Sequence, residues 1–150
     1  MRDEHPEAAG QAMRFDSKIA IAIRSDLPLW QKLNMTAFLA SGIASAVPGT
    51  IGLAYRDGSG RHYAALFRQP VLVLAGGAEE VAAAFHRARE RERDLALAVF
   101  VEAMFSTGHD AANRETIADV ASPELAPVGF AVHGPRNVVD RALKGLSLHP

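Results

Sequence analysis

Cysteine is absent from this chain of 150 residues, which excludes disulfide bonds and metal sites built on thiolates. No apolar run is long enough to span a bilayer, so we expect no membrane partner. The formal net charge of −1 gives no long-range attraction to a polyanion. These absences favour a cytoplasmic protein. Binding to nucleic acid is possible, but the net charge does not support it.

Metal and cofactor motifs are also missing. The six histidines form no HExxH motif and no pair spaced four residues apart. Gly76 and Gly77 precede a predicted helix, but their spacing differs from the dinucleotide-binding fingerprint. That helix opens with Glu79 and Glu80, which would repel a phosphate. We therefore expect no metal site and no cofactor.

The chain length suits one domain with a sizeable core, and 49% of the residues are apolar, as in ordinary globular proteins. Residues 1–14 include many polar and charged residues and no apolar run, and they predict a disordered N-terminal arm. Residues 15–150 then form a single predicted α/β domain.

The stretch from residue 18 to residue 47 organises the predicted fold. Lys18–Ile23 is rich in β-branched residues and predicts a buried parallel strand. Asp26 is placed to cap the helix that follows. The apolar spacing of three and four predicts the inner face of this helix as Leu29, Leu33, Ala37, Ala40, Ala44 and Val47. Ligands bind at the carboxyl ends of strands in open α/β sheets, so residues 26–36 are the predicted site region.

Three later apolar runs predict further strands: Val71–Ala75, Leu95–Val101 and Val128–Val132. The segments between them predict a hairpin over 51–67, an amphipathic helix over 78–93, a polar segment over 103–127 with a short helix at 113–120, and a final helix from Gly134. This order predicts a three-layer α/β/α fold with a mixed, mostly parallel sheet.

Charges of alternating sign fill the end of the second long helix, from Arg87 to Arg93. Such a run is typical of a solvated helix face with local ion pairs. The alternative is a contact with an RNA backbone, which would use the same arginines.

The predicted elements resemble the type II peptidyl-tRNA hydrolase fold from about Phe15 to the C-terminus. The resemblance is carried by the first strand at 18–27, a helix with Lys32, the strand at 69–74, a helix from Glu79, and the run at 128–140. The chain is similar in particular to a bacterial branch known as domain of unknown function 2000. Members of this fold often pair, so the resemblance implies a homodimer.

The chain departs from the hydrolases at the residues that matter for their activity. Lys32 fills the place of the family's lysine when one residue is gapped. Thr36 and Leu39 stand where the hydrolases have a glutamine and a histidine, and Glu102 stands where they have an aspartate. The missing amide and imidazole imply that efficient peptidyl-tRNA hydrolysis is not expected.

The resemblance suggests a catalytic set of Lys32, Thr36 and Glu102. Ester hydrolysis needs an activated water and a stabilised oxyanion. Glu102 could act as the general base, Lys32 could hold a carbonyl oxygen or a phosphate, and Thr36 could orient a water. The alternative is that all three residues have only structural roles. Lys32 would then be a surface lysine, Thr36 a threonine on the face of a helix, and Glu102 a carboxylate in an ion pair.

Four further residues are predicted to contact a ligand. Asp26 follows the first strand, and Trp30 could stack on a base or pack against a neighbour. Thr107 and His109 lie in the loop after Glu102, where a hydroxyl beside an imidazole could form a nucleophilic pair. Such a grouping also arises by chance in a polar loop.

Two functions from different classes remain open. The first is a hydrolase that acts on a small ester or amide, or on a nucleotide-linked substrate. The alternative is a non-catalytic module on the same fold that binds a small ligand or has a regulatory role.

Overall fold

The computed structural model describes residues 14–150, so the predicted disordered arm lies outside the described residues except for Arg14. The helices and strands are β1 (Ser17–Arg24), α1 (Leu29–Ala46), β2 (Tyr55–Arg56), β3 (His62–Tyr63), β4 (Val71–Gly76), α2 (Ala78–Arg89), β5 (Ala96–Val101), α3 (Asp110–Ala118), β6 (Pro127–Pro135), α4 (Arg136–Ala142) and β7 (Ser147–Leu148). All four predicted core strands are present, and the α/β class is confirmed.

The main sheet has five strands in the order β5-β6-β1-β4-β7. Only β1 and β4 are parallel neighbours, and the other three neighbouring pairs are antiparallel. The prediction of a mostly parallel sheet is therefore wrong. A strand buried on both faces is apolar along its whole length, so its sequence does not reveal the direction of its neighbours.

Helices cover both faces of this sheet. The side chains of β1 alternate between the two faces, so each face carries apolar groups that a helix can bury. Ile19, Ile21 and Ile23 pack in the core cluster beneath α1. Ala20 and Ala22 belong to the opposite cluster, where the side chains of α2 and α4 meet Phe130 and Val132 of β6. The core thus lies as one apolar layer on each side of the same sheet.

The inner face of α1 differs from the predicted one. Met35, Leu39 and Ile43 are buried against the sheet, whereas Leu29 is 69% exposed and Leu33 is 62% exposed. Both sets follow the same helical spacing, so periodicity alone cannot select between two apolar stripes.

The connection from α1 to β4 is a hairpin, as predicted. Its regular part is short, with Tyr55 opposite Tyr63 and Arg56 opposite His62. Nearer the sheet, Ile51 pairs with Phe67. Because this connection holds no α-helix, α1 is the only α-helix of residues 14–150 that packs on its face of the sheet, mainly over β5, β6 and β1.

The C-terminal half follows the sequence prediction with shifted boundaries. The short helix predicted at 113–120 is α3, which begins three residues earlier, at Asp110. Gly134 and Pro135 complete β6 instead of opening the last helix, which begins at Arg136. Within residues 14–150, no helix has both the length and the apolar character needed to cross a bilayer.

His133 should make the stability of this fold depend on pH. It lies on β6 between Ile19 and Ala96, and burial lowers its pKa below the usual 6.5. The folded state disfavours the protonated ring that the unfolded chain accepts, so the free energy of unfolding should fall as the pH drops below about 6.5. We expect His133→Gln to remove part of this fall in urea unfolding between about pH 7 and about pH 5.

The matched control for His133 is the exposed His62 on β3. His62→Gln should leave the pH profile unchanged. A profile that is equally steep in the wild type and in His133→Gln would contradict the prediction.

Candidate functional site

A cleft of about 450 Å³ opens between α1 and the segment that joins β5 to α3. Trp30, Thr107 and His109, three of the four residues predicted to contact a ligand, line it together. The other lining residues are Asn34, Phe38, Ser41, Met104, Phe105, Gly108, Asp110 and Asn113. This cleft is the candidate functional site.

One wall of the cleft is aromatic. Trp30 and Phe38 project from the same face of α1 because they are eight residues apart, or about two helical turns. Trp30 meets Phe105 in an edge-to-face contact with ring centroids 5.8 Å apart. Phe105 in turn packs on Phe100 of β5 at 4.9 Å, which anchors the wall to the sheet. Edge-to-face packing is a favoured arrangement for aromatic pairs.

After Phe105 the segment that faces α1 becomes polar, and its side chains are held by local hydrogen bonds. The Thr107 hydroxyl lies 2.9 Å from the Met104 carbonyl and within reach of the Asn113 side-chain oxygen. His109 caps α3, since its Nδ1 accepts the backbone N–H of Ala112 at 3.2 Å. With Nδ1 as the acceptor of this bond, the ring nitrogen left to donate a hydrogen bond is Nε2.

These bonds determine what Thr107 and His109 can do. Both acceptors around the Thr107 hydroxyl are oxygens without basic character, so this hydroxyl has no base to activate it. The lone pair of His109 is occupied by the cap, which leaves an N–H donor in place of a general base. The arrangement suits hydrogen bonding to a ligand better than nucleophilic attack.

The predicted residue Asp26 lies outside this cleft, in a charged cluster at the carboxyl end of β1. Its two carboxylate oxygens accept hydrogen bonds from Arg24 Nε at 3.0 Å and Nη2 at 2.7 Å. This pairing lowers the pKa of Asp26, and the charge of Lys32 lowers it further. The predicted capping role of Asp26 is wrong, because Pro28 precedes α1 and no side chain caps it.

The three predicted catalytic residues each have a different partner. Lys32 Nζ lies 3.1 Å from Nε2 of His149, whose backbone N–H donates to the Val73 carbonyl on β4. The Thr36 hydroxyl donates to the Leu33 carbonyl of its own helix at 2.9 Å. Glu102 is exposed and raises the pKa of Arg24, after the stronger effect of Asp26.

The structure therefore brings Asp26 and Lys32 within electrostatic range of one another, and it brings Glu102 within range of Arg24. It turns the hydroxyl of Thr36 back to the backbone of α1. Lys32 and Trp30 are two residues apart, so they project from different sides of the helix. A joint catalytic role of Lys32, Thr36 and Glu102 stays a prediction.

A family model described as a protein of unknown function, DUF2000, matches residues 17–150. The chain belongs to this family. A solved structure of a protein of unknown function from Agrobacterium tumefaciens strain C58 is 43% identical to it, with a TM-score of 0.83. The alignment covers 91% of this chain and 100% of that one. Among curated proteins, none matches the chain.

Sequence reasoning missed several residues of the cleft in this DUF2000 member. Asn34 lies one helical turn after Trp30, and that spacing was the signal that could have found it. Phe105 and Asn113 had no such signal, because only the path of the polar segment brings them to α1. His149 was also missed, although it lies against the predicted residue Lys32.

The arginines at the end of α2 have structural partners in this DUF2000 member. Arg87 donates to the carbonyl of Ala142, the last residue of α4, and to that of Lys144 just after it. Arg89 donates to the Ser122 carbonyl and lies 4.9 Å above the ring of Phe85. These contacts attach α2 to neighbouring segments, so two of the cations that an RNA contact would need are already engaged.

In the described part of the chain, no group of three or more His, Asp or Glu side chains is placed to hold a metal ion.

Proposed function

We propose that this DUF2000 member is a non-catalytic binding module that holds a small planar ligand in the cleft between α1 and α3. The observation that carries the proposal is the pairing of an aromatic wall with polar groups fixed by their own hydrogen bonds. Ligand sites commonly combine apolar and aromatic walls with a few placed polar groups. The volume of about 450 Å³ suits a small molecule.

The chemistry of the walls favours a neutral heteroaromatic ring such as a nucleobase or nucleoside. Trp30 is 58% exposed, so its indole has free surface on which a flat ring can stack. The amides of Asn34 and Asn113 offer both donors and acceptors, which match the polar edge of a base. Asp110 is ion-paired with Arg114, so it adds little net charge to the cleft.

The test is isothermal titration calorimetry with adenosine, guanosine, cytidine and uridine. Stacking on an aromatic ring contributes about 1–3 kcal/mol per base, so Trp30→Ala should weaken binding about 5- to 140-fold. Tyr55→Ala is the matched control, because Tyr55 is an exposed aromatic on β2, away from the cleft. Failure of all four nucleosides to bind at millimolar concentration would contradict the proposal, as would equal affinities in the wild type and Trp30→Ala.

A second candidate is a cytoplasmic hydrolase of the type II peptidyl-tRNA hydrolase-like fold that acts on a small ester or amide. The contact between Lys32 and the imidazole of His149 favours it, because an amine within hydrogen-bond distance of an imidazole can orient the ring or exchange a proton with it. Lys32 lies at the start of α1, just after the carboxyl end of β1, where α/β proteins bind ligands, and His149 lies beside Val73 of β4.

This candidate is tested by hydrolysis of small acyl esters and aminoacyl amides, followed by product release. Lys32→Ala should then lower turnover at least about 100-fold, as expected for loss of a group that stabilises an oxyanion. Lys144→Ala, which changes an exposed lysine, should leave turnover unchanged. Rapid cleavage of peptidyl-tRNA by the wild type would contradict the expectation drawn from Thr36 and Leu39.

A further inference from the structure

The hairpin between α1 and β4 is exposed on both faces of its ladder. Tyr55 pairs with Tyr63 and Arg56 pairs with His62, and all four residues are exposed. Because side chains alternate between the two faces of a strand, both tyrosines lie on one face, and Arg56 and His62 lie on the other. The hairpin thus presents an aromatic face and a basic face to solvent. None of its residues lines the ligand cleft, so it is a separate surface.

The edges of this ladder are open as well. Within residues 14–150, β2 and β3 form a sheet of two strands, so each strand has one edge without a neighbouring strand. An isolated two-stranded hairpin is at best marginally stable in water, and a third strand adds to its stability. Edge strands are commonly protected from pairing by lysine or proline, and residues 51–67 contain neither. The hairpin can therefore accept an added strand.

Charge distinguishes the hairpin from the rest of the molecule. Residues 51–68 contain Arg56, Arg61 and Arg68 but only one carboxylate, that of Asp57, which gives them a net charge of +2. The whole chain has a net charge of −1, so the other residues together carry −3. None of the ion pairs among the described residues includes an arginine of the hairpin. The hairpin is therefore a basic surface that is complementary to an acidic partner.

The carboxylate of Asp57 is held by its own turn. Its Oδ1 accepts the backbone N–H groups of Arg61 and Ser59, each at 3.0 Å, and its Oδ2 accepts the Tyr63 hydroxyl at 2.9 Å. The bond from the Arg61 N–H, followed by that from Tyr63, lowers the pKa of Asp57. These bonds fix the turn and the ring of Tyr63, so the two faces of the ladder are ordered before a partner arrives.

A groove of about 420 Å³ lies at the base of the hairpin, lined by Gly49 and by residues 51–55 and 66–68. Leu53 and Leu66, on its two legs, are 54% and 62% exposed. Aliphatic walls suit an apolar side chain of a protein segment, whereas a nucleobase would leave polar groups unpaired there. The charge of −3 on the other residues also disfavours a nucleic acid, which carries one phosphate per nucleotide.

We propose that the β2 edge of the hairpin binds an extended segment of another protein in which apolar and acidic residues alternate. Added beside β2 as a third strand, this segment gains backbone hydrogen bonds, as in other cases of strand addition. Its apolar side chains lie on the face of Tyr55, and one of them enters the groove at the base of the hairpin. Its acidic side chains lie on the opposite face, beside Arg56.

The first test is isothermal titration calorimetry with an end-capped octapeptide of alternating valine and glutamate. It should bind the wild type in the high-micromolar range, and more weakly as the salt concentration rises. A valine–lysine octapeptide is the matched control and should not bind, because the basic hairpin repels it. An oligouridylate of the same number of units tests for single-stranded nucleic acid. No binding of the valine–glutamate peptide, equal binding of both peptides, or tighter binding of the oligouridylate would overturn the proposal.

Two pairs of variants locate the site. Arg56→Glu should weaken binding of the valine–glutamate peptide about 10-fold, whereas Arg93→Glu, at an exposed arginine after α2, should leave it unchanged. Tyr55→Ala should also weaken it about 10-fold, whereas Trp30→Ala, in the ligand cleft, should not change it. All four side chains are exposed, so circular dichroism should find every variant folded. Wild-type affinity in Arg56→Glu and Tyr55→Ala would exclude the β2 edge as the site.

Hydrogen exchange measures the added strand directly. Backbone amides of β2 should exchange more slowly when the valine–glutamate peptide is bound, because the third strand supplies acceptors for them. The edge strands of the main sheet, β5 and β7, are the internal controls and should exchange at the same rate with and without peptide. Protection of β5 or β7 in place of β2, or binding without any protection, would contradict strand addition at the hairpin.

Discussion

Phe130→Ala should lower the free energy of unfolding by about 3–5 kcal/mol, the usual cost of truncating a buried phenylalanine. Phe130 lies on β6, between β5 and β1, and it is fully buried. Its ring packs 5.5 Å from that of Phe85 on α2, so its removal leaves a cavity between the sheet and the helix. Domains of this kind have about 5–15 kcal/mol of stability, and the loss would therefore be a large share of the total.

Urea unfolding of the wild type and of Phe130→Ala measures this loss directly. Phe38→Ala is the matched control, because Phe38 is half exposed on α1 and should cost well under half as much. Equal losses in the two variants would mean that the core on the α2 side is not the main source of stability.

Gly134→Ala should also be strongly destabilising, by about 3 kcal/mol, near the upper end of the usual cost of overpacking. A Cβ at residue 134 would lie 2.5 Å from the carbonyl oxygen of Asp94 and 2.5 Å from the Leu95 side chain. The leucine can rotate, but the Asp94 oxygen belongs to the backbone that leads into β5. The extra methyl group therefore has to push two neighbouring strands apart.

The control and a rescue experiment separate this clash from a general effect of alanine. Gly49→Ala adds a Cβ that has no heavy atom within 4 Å, so its effect should stay within about 1 kcal/mol. Leu95→Ala combined with Gly134→Ala should not restore stability, because the Asp94 oxygen stays in place. Full recovery in the double variant would show that only the leucine side chain was in conflict.

The three sides of α1 explain why its inner face was predicted wrongly. Met35, Leu39 and Ile43 meet the sheet, Trp30 and Phe38 line the cleft, and a third stripe from Leu29 to Ala44 stays open. A helix with apolar residues on three sides gives little contrast from which to read a buried face.

The sequence by itself determined the four core strands, the main helices and the hairpin, but not the short strand β7. Each depends on local information, such as a β-branched run, a helical period or an Asp-Gly turn. It also identified Trp30, Thr107 and His109 as possible ligand contacts, from side-chain chemistry and from position relative to predicted strands. Their grouping in one cleft follows from the fold.

Only the tertiary structure decided which strands are neighbours, which stripe of α1 is buried, and where Lys32 and Thr36 point. Strand order depends on the path of the segment from β5 to β6, which the side chains of an all-apolar strand do not encode. The partner of Lys32 lies 117 residues away in the chain, at His149. Contacts between such distant residues are set by packing of the whole sheet, and no local pattern records them.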